Sequence, residues 1–150
     1  EVTEENIRNG LAETRWPGRL EIIRKGSKTW ILDGAHNAAA AGCLTETLRE
    51  CWPDTKFTAV TGVFRDKEYS KIAEILSGVL DRAICIDLPD GSRSLPKEEL
   101  AAVYENVGVK SDVSDSIETA IKEATSDAVL VTGSLSLLRS AKEGIEKFYF

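Results

Sequence analysis

At 150 residues, with 42% hydrophobic and 29% charged residues, the chain has the composition of one globular domain with a sizeable core. Nineteen Lys and Arg against 25 Asp and Glu leave a net charge of -6, which excludes a general nucleic-acid surface, since that needs a basic excess to displace counterions. No apolar run reaches membrane-spanning length and no signal or lipidation motif opens the chain, so no membrane is expected as a partner and the cytoplasm is the expected compartment.

Residues 4–13, EENIRNGLAE, form the first predicted helix, with Thr3 as its N-cap and acids in its first turn, where the helix dipole favours them. RWPG then breaks the pattern. RLEIIRK and KTWILD are strand-like runs joined through Gly26-Ser27, a sequence suited to a hairpin turn. After DGAHN, the residues Ala41, Leu44, Leu48 and Trp52 recur at helical spacing, which predicts a helix over 38–51 ended by Pro53. KFTAVTGVF reads as a strand with RDKE as its exit loop, and Tyr69, Ile72, Ala73, Leu76 and Leu80 form one helical stripe. RAICID is the next strand and LPDGSRSLP a long loop, followed by a helix over 96–106 in which Pro96 takes a favoured first-turn position. A short strand is expected near 107–112. Ile117, Ala120, Ile121 and Ala124 mark a further helix, AVLVTG a buried strand, and Leu138, Ala141, Ile145 and Phe148 stripe the last helix.

Strands alternating with helices predict an α/β domain in three layers, its mainly parallel sheet covered on both faces. Counting each periodic run as one element gives about six strands. The opening hairpin must add an antiparallel strand. No linker, repeat or low-complexity tract divides residues 1–150. The absence of methionine and the opening EVTEEN read as a domain cut from a longer polypeptide. Cys43, Cys51 and Cys85 are odd in number and show no C-x-x-C spacing, so neither a disulfide framework nor a zinc site is expected; each sits in an apolar pattern and reads as a buried free thiol.

Ligands of open α/β sheets bind outside the carboxyl ends of the strands. Three such ends are chemically dense here: DGAHN, GVFRDKE and TGSLS, each combining glycine with polar residues that feed a helix N-terminus. RWPGR adds Arg15 and Arg19 beside the hairpin, and together these groups could build one crevice for an anionic ligand. Each also has a structural reading: Asp33 as a turn cap, His36 as a structural histidine, Lys67 as a solvated first-turn residue, Ser134 as an N-cap. GSLSL lacks the G-x-S-x-G elbow of serine hydrolases, no G-x-G-x-x-G dinucleotide fingerprint follows a strand, and no G-x-x-x-x-G-K-[ST] phosphate loop occurs. One histidine and scattered thiols make no transition-metal site, so no metal ligands are expected in this chain.

WPGRLE, LDGAHN, GVFRDKE, SRSLP and VLVTGSLSLL, in this order and spacing, resemble the C-terminal domain of the folylpolyglutamate synthase/dihydrofolate synthase family, ATP-dependent amide ligases of the Mur ligase superfamily. The resemblance implies a Rossmann-like domain with a six-stranded sheet, closing over an N-terminal ATPase domain that supplies the phosphate loop and the Mg2+ ligands. The implied reaction activates a folate or dihydropteroate carboxyl with ATP as an acyl phosphate, releasing ADP, and the amine of L-glutamate then attacks. The resemblance further implies that Arg19 reaches the nucleotide phosphates, that Asp33 holds the nucleotide through ribose hydroxyls, that His36 contacts phosphate or orients the reacting groups as the catalytic residue, and that Asn37 supports that loop. Lys67 and Ser134 match positions near the incoming glutamate. The chain departs from the family at Ala38, where proline usually follows DGAHN, and at Ser136 to Arg139, where an aromatic and a glycine are usual. The isolated domain is expected to fold and to be inactive. The alternatives are a Mur-type ligase for another amino acid or acid, and a non-catalytic α/β binding module.

Overall fold

In the computed structural model, which describes residues 2–89 and 91–150, one six-stranded sheet runs in the order β1-β2-β6-β3-β4-β5. The strands are β1 (Glu21–Lys25), β2 (Lys28–Asp33), β3 (Phe57–Thr61), β4 (Leu80–Cys85), β5 (Lys110–Val113) and β6 (Ala128–Thr132). β1 and β2 pair antiparallel with Lys25 opposite Lys28, which leaves Gly26-Ser27 as a two-residue turn; Gly26 supplies the positive φ of 58° that such a turn demands. The remaining pairs are parallel. β6, the last strand in sequence, lies between β2 and β3, and AVLVT is apolar on both faces as a central parallel strand must be.

The helices are α1 (Glu4–Glu13), α2 (Ala38–Cys51), α3 (Tyr69–Ser77), α4 (Lys97–Asn106), α5 (Ile117–Glu123) and α6 (Leu135–Tyr149). Alternation along the strands sorts them into two layers. Ile31, Ala59, Ala83 and Leu130 point to the face covered by α2, α3 and α4, through Leu44, Leu48, Ile72, Leu76, Leu100 and Tyr104. Trp30, Leu32, Val60, Ile84, Val129 and Val131 point to the opposite face, where Ile121 of α5 and Leu138, Ala141 and Ile145 of α6 meet them. This is the three-layer arrangement that the alternation implied, with the antiparallel edge strand expected from the hairpin, and it is Rossmann-like as the resemblance implied. α1 is capped by Thr3, whose Oγ1 accepts the Asn6 N–H at 3.2 Å, but buries none of its residues. No helix among the described residues is long and apolar enough to cross a membrane.

Several sequence expectations shift. Leu80 does not continue the α3 stripe; Gly78 ends that helix and Leu80 opens β4, whose span begins two residues before RAICID. β3 stops at Thr61, so Gly62 to Phe64 belong to the exit loop. Pro96 occupies the N-cap position of α4 and not its first turn, and the strand expected near 107–112 is formed by Lys110–Val113. Within the predicted loop LPDGSRSLP, Asp90 lies outside the described residues, as does Glu1.

The cysteines also divide: Cys85 is buried in β4, whereas Cys43 and Cys51 are exposed on α2, Cys43 off the face that carries Ala41, Leu44 and Leu48 and Cys51 as the last residue of the helix. Burial, reinforced by the Asp112 and Glu105 charges, pushes the Cys85 thiol up to about 12, so almost no thiolate exists at neutral pH. A thiol reagent at pH 8 is therefore expected to label two cysteines rapidly in the native chain and the third only on unfolding, as intact mass spectrometry would show; labelling of Cys85 in the native chain contradicts the burial.

Candidate functional site

The order β2-β6-β3 makes neighbours of the three strands whose exit loops are DGAHN, TGSLS and GVFRDKE. Gly133, at φ 111°, allows the β6 exit to pass close to the β3 exit: a Cβ there would press into the Gly62 carbonyl oxygen and come within 2.9 Å of Thr61 Oγ1. Gly34 does the same on the β2 side, where a Cβ would run into the Leu135 side chain and lie 2.8 Å from Arg19 Nη1. The Arg19 side chain thus crosses directly over Gly34.

Asp33 ends β2 with its carboxylate turned back onto the main chain. Oδ2 accepts the Leu20 N–H at 2.8 Å and Oδ1 the Ala35 N–H at 2.9 Å, while the Gly34 N–H reaches the Gly18 carbonyl at 2.9 Å. These bonds tie the WPGRL loop to DGAHN, so the turn-cap reading of Asp33 holds together with its place in the site. Each carboxylate oxygen keeps a lone pair for a further donor. His36 Nδ1 lies 2.8 Å from the Gly34 carbonyl oxygen. A carbonyl can only accept, so Nδ1 carries the hydrogen and Nε2 is the ring atom left for a ligand. Asn37 caps α2, its Oδ1 accepting the Ala40 N–H at 2.8 Å, which fixes the loop that carries His36.

Arg19, Asp33, His36 and Asn37 line one cavity of about 350 Å³, closed on its other side by Ala40, Cys43, Leu44 and Thr47 of α2. Those four helix positions have the 3-1-3 spacing of a single helix face, a signal that sequence reading could have used. A second cavity, of about 260 Å³, is lined by His36, Lys67, Ser134, Phe64, Arg93 and Ser136. Lys67 is half-buried there, with Nζ 3.5 Å from Asp66 Oδ2. Ser134 is buried and caps α6; its Oγ accepts the Ser136 N–H at 3.3 Å and lies 2.8 Å from Ser136 Oγ. Arg93, Phe64 and Ser136 were not among the residues chosen from sequence. The loop after β4 folds back through the Phe64–Ser94 bridge and sets the Arg93 guanidinium 4.6 Å from the Phe64 ring centre. The SRSLP motif was the available clue, but a fold-back of this kind has no local signature.

His36 lines both cavities and forms their common wall. Arg19, Asp33, His36, Asn37, Lys67 and Ser134 therefore meet at one end of the sheet. Arg15 does not join them: its Nη1 donates to the Ala12 and Thr14 carbonyls at 2.8 and 3.1 Å, closing the end of α1. A larger open groove of about 580 Å³ lies on the outer side of the WPGRLE loop, but it contains neither Asp33 nor His36 and is walled in part by the Glu21–Lys142 ion pair. Among the described residues no three His, Cys, Asp or Glu side chains converge on a metal-sized space.

Residues 18–135 match the family profile described as "Mur ligase, glutamate ligase domain". The chain is 28% identical over 142 residues to a folylpolyglutamate synthase of Lacticaseibacillus casei, an alignment that covers 95% of this chain and 32% of that protein. Among solved structures, Escherichia coli FolC in complex with DHPP and ADP superposes with a TM-score of 0.84 at 32% identity, covering 98% of this chain and 35% of that one. The bifunctional folylpolyglutamate synthase/dihydrofolate synthase of Yersinia pestis, complexed with AMPPNP and Mn, gives 0.83 at 28% identity over 97% of this chain and 35% of its own. The chain thus spans about a third of the length of the proteins it matches.

Proposed function

This chain belongs to the Mur ligase family, through its glutamate ligase domain, and from that premise we propose that it is the C-terminal, nucleotide-contacting and glutamate-handling part of an ATP-dependent, ADP-forming folate–glutamate ligase. The observation that carries the reading is the shared wall at His36: one side chain borders a cavity with the arginine and carboxylate suited to a nucleotide and a second cavity with the lysine and buried serine suited to an amino acid. A volume of about 350 Å³ falls in the range of small-ligand sites, here enough for part of a nucleotide.

On this reading ATP provides the phosphoryl group that activates a folate or dihydropteroate carboxyl, and the chain's own residues position and neutralise. Arg19 offers a planar guanidinium to phosphate oxygens at the mouth of the first cavity. Asp33 accepts ribose hydroxyls with the lone pairs its backbone bonds leave unused. Asn37 holds the loop. Lys67 faces a glutamate carboxylate, Ser134 offers its hydroxyl beside it, and His36 Nε2 orients the groups where the two cavities meet. The sequence holds no G-x-x-x-x-G-K-[ST] phosphate loop, and among the described residues no metal ligands converge; on this reading, as the family resemblance implies, an N-terminal ATPase domain supplies the phosphate cradle and the Mg2+ ligands. The three free thiols suit the reducing cytoplasm, where we place the enzyme.

The test is ADP release by the full-length protein. It is expected to require both a folate or dihydropteroate and L-glutamate, and to be absent for the 150-residue chain alone. ADP release that depends on a non-folate acid would replace the substrate class, and no amino-acid-dependent release at all would end the ligase reading.

A further inference from the structure

The loop that carries Arg19 is unusual in its backbone. Leu20 has φ 45°, the one positive value outside glycine among the described residues, and Gly18 two positions earlier has φ 72°. A leucine in the left-handed region is disfavoured and persists only where its surroundings hold it from several directions. Here every N–H from Gly18 to Leu20 has its own acceptor: Gly18 N–H to Glu21 Oε2 at 3.1 Å, Arg19 N–H to the Trp16 carbonyl at 3.1 Å, and Leu20 N–H to Asp33 Oδ2 at 2.8 Å. The Gly18 carbonyl in turn accepts the Gly34 N–H. Of these acceptors Glu21 is the one with a distant support. Its Oε1 accepts from Lys142 Nζ at 2.6 Å, across 121 positions of sequence, and both groups are partly buried.

We propose that the Glu21–Lys142 pair is a positioning device for Arg19: Lys142 fixes the Glu21 carboxylate, which holds the Gly18 N–H and so sets the direction in which the Arg19 side chain crosses Gly34. The proposal rests on the nucleotide-contacting reading of Arg19 given above. Lys142 stands on α6, the helix that Ser134 caps at the second cavity. One rigid element therefore supports both halves of the site. The hydrogen bond from Lys142 also holds the Glu21 carboxyl below its usual range, as does the Gly18 N–H, against an opposing effect of burial. Both bonds favour the carboxylate form of Glu21, whose two oxygens each accept one donor. A guanidinium displaced by about 1 Å can cost up to about 100-fold in a reaction that depends on alignment.

The test compares Glu21→Leu and Lys142→Met with the conservative variants Glu21→Gln, which keeps an acceptor for Gly18, and Lys142→Arg, which keeps the donor. In the 150-residue chain, amide hydrogen exchange at Gly18, Leu20 and Gly34 is expected to accelerate about 10-fold or more in the first two variants, while Leu130 in the core keeps its protection. In the full-length ligase the same two variants are expected to raise the nucleotide KM about 10-fold with the glutamate KM little changed, and the conservative variants to recover most of it. Unchanged exchange at the three amides overturns the proposal. So does faster exchange with an unaltered nucleotide KM, which would make the pair a structural clamp only. If the parent protein releases no ADP, the function proposed above falls, and amide exchange alone decides whether the pair sets the loop.

Discussion

If the full-length protein is the ligase proposed above, replacing His36 with alanine is expected to lower its kcat by about 10²–10³-fold, the scale on which a single oriented hydrogen-bonding group at a reacting centre acts. The fold should barely register the change. His36 is half-buried, and among the described residues its hydrogen-bond partner is the Gly34 carbonyl, which can turn to water when the ring is removed. A neutral hydrogen bond of that kind contributes about 1 kcal/mol, or roughly 2–4 °C in Tm for a domain of this size. Steady-state ADP release and a thermal melt on the same preparations separate the two readings that the sequence left open. A structural histidine loses Tm and keeps turnover; a histidine at the junction of two substrate cavities does the reverse. His36→Asn sharpens the comparison, because a carboxamide can replace the bond to Gly34 but presents no atom where Nε2 stands.

The largest loss of stability is expected at Gly133. Alanine there must adopt φ 111° and push its Cβ into the Gly62 carbonyl oxygen, with Thr61 Oγ1 and Val63 Cγ1 close behind at 2.9 and 3.1 Å. All three neighbours are main chain or β-branched side chain at or just past the end of β3, so relief requires β3 and β6 to part. Backbone strain of about 1–3 kcal/mol and overpacking of similar size give a cost of about 2–6 kcal/mol, a large share of the stability of a typical domain. Urea unfolding measures it. Gly42→Ala provides the contrast, since a Cβ at that position of α2 meets nothing within 4 Å and the helix should gain about 1 kcal/mol. If both substitutions prove equally mild, the close approach of the β3 and β6 exits is not as described.

The elements were largely legible because their signals are local. The helix over 38–51 follows from Ala41, Leu44 and Leu48, and the structure gives it those bounds. Where local signals compete, the reading slipped: Leu80 stands at the right spacing to extend α3, but a two-residue turn at Gly78 hands it to β4. The cysteine error has a similar origin. Cys43 is surrounded by apolar neighbours in sequence, yet it lies off the face defined by Ala41, Leu44 and Leu48, and periodicity, not neighbourhood, decides burial in a helix. At the candidate site, the gathering of Asp33, His36 and Ser134 could be read from their places at strand ends. Strand order could not, because parallel strands joined by helices carry no sequence mark of which neighbours which. Nor could the bonds from Leu20 to Asp33 or from Lys142 to Glu21, since hydrogen-bond partners 13 and 121 residues apart are set by the fold alone.

The place of β6 in the sheet also bears on how the molecule comes into being. β2 and β3 are made early in synthesis but do not touch each other in the finished sheet; the strand that joins them, Ala128–Thr132, follows some seventy residues after β3. Until it arrives, the growing chain holds two open sheet fragments, β1-β2 and β3-β4-β5, each with an unsatisfied parallel edge exposed to other chains. Insertion of one apolar strand then closes both edges in a single step and brings Asp33, Thr61 and Thr132 into register. The candidate site and the fold are thus completed by the same event. A chain halted before Val131 would carry nearly all of the candidate site's residues without the strand that sets the β2 and β3 exits side by side, and its two open edges would expose it to aggregation during expression.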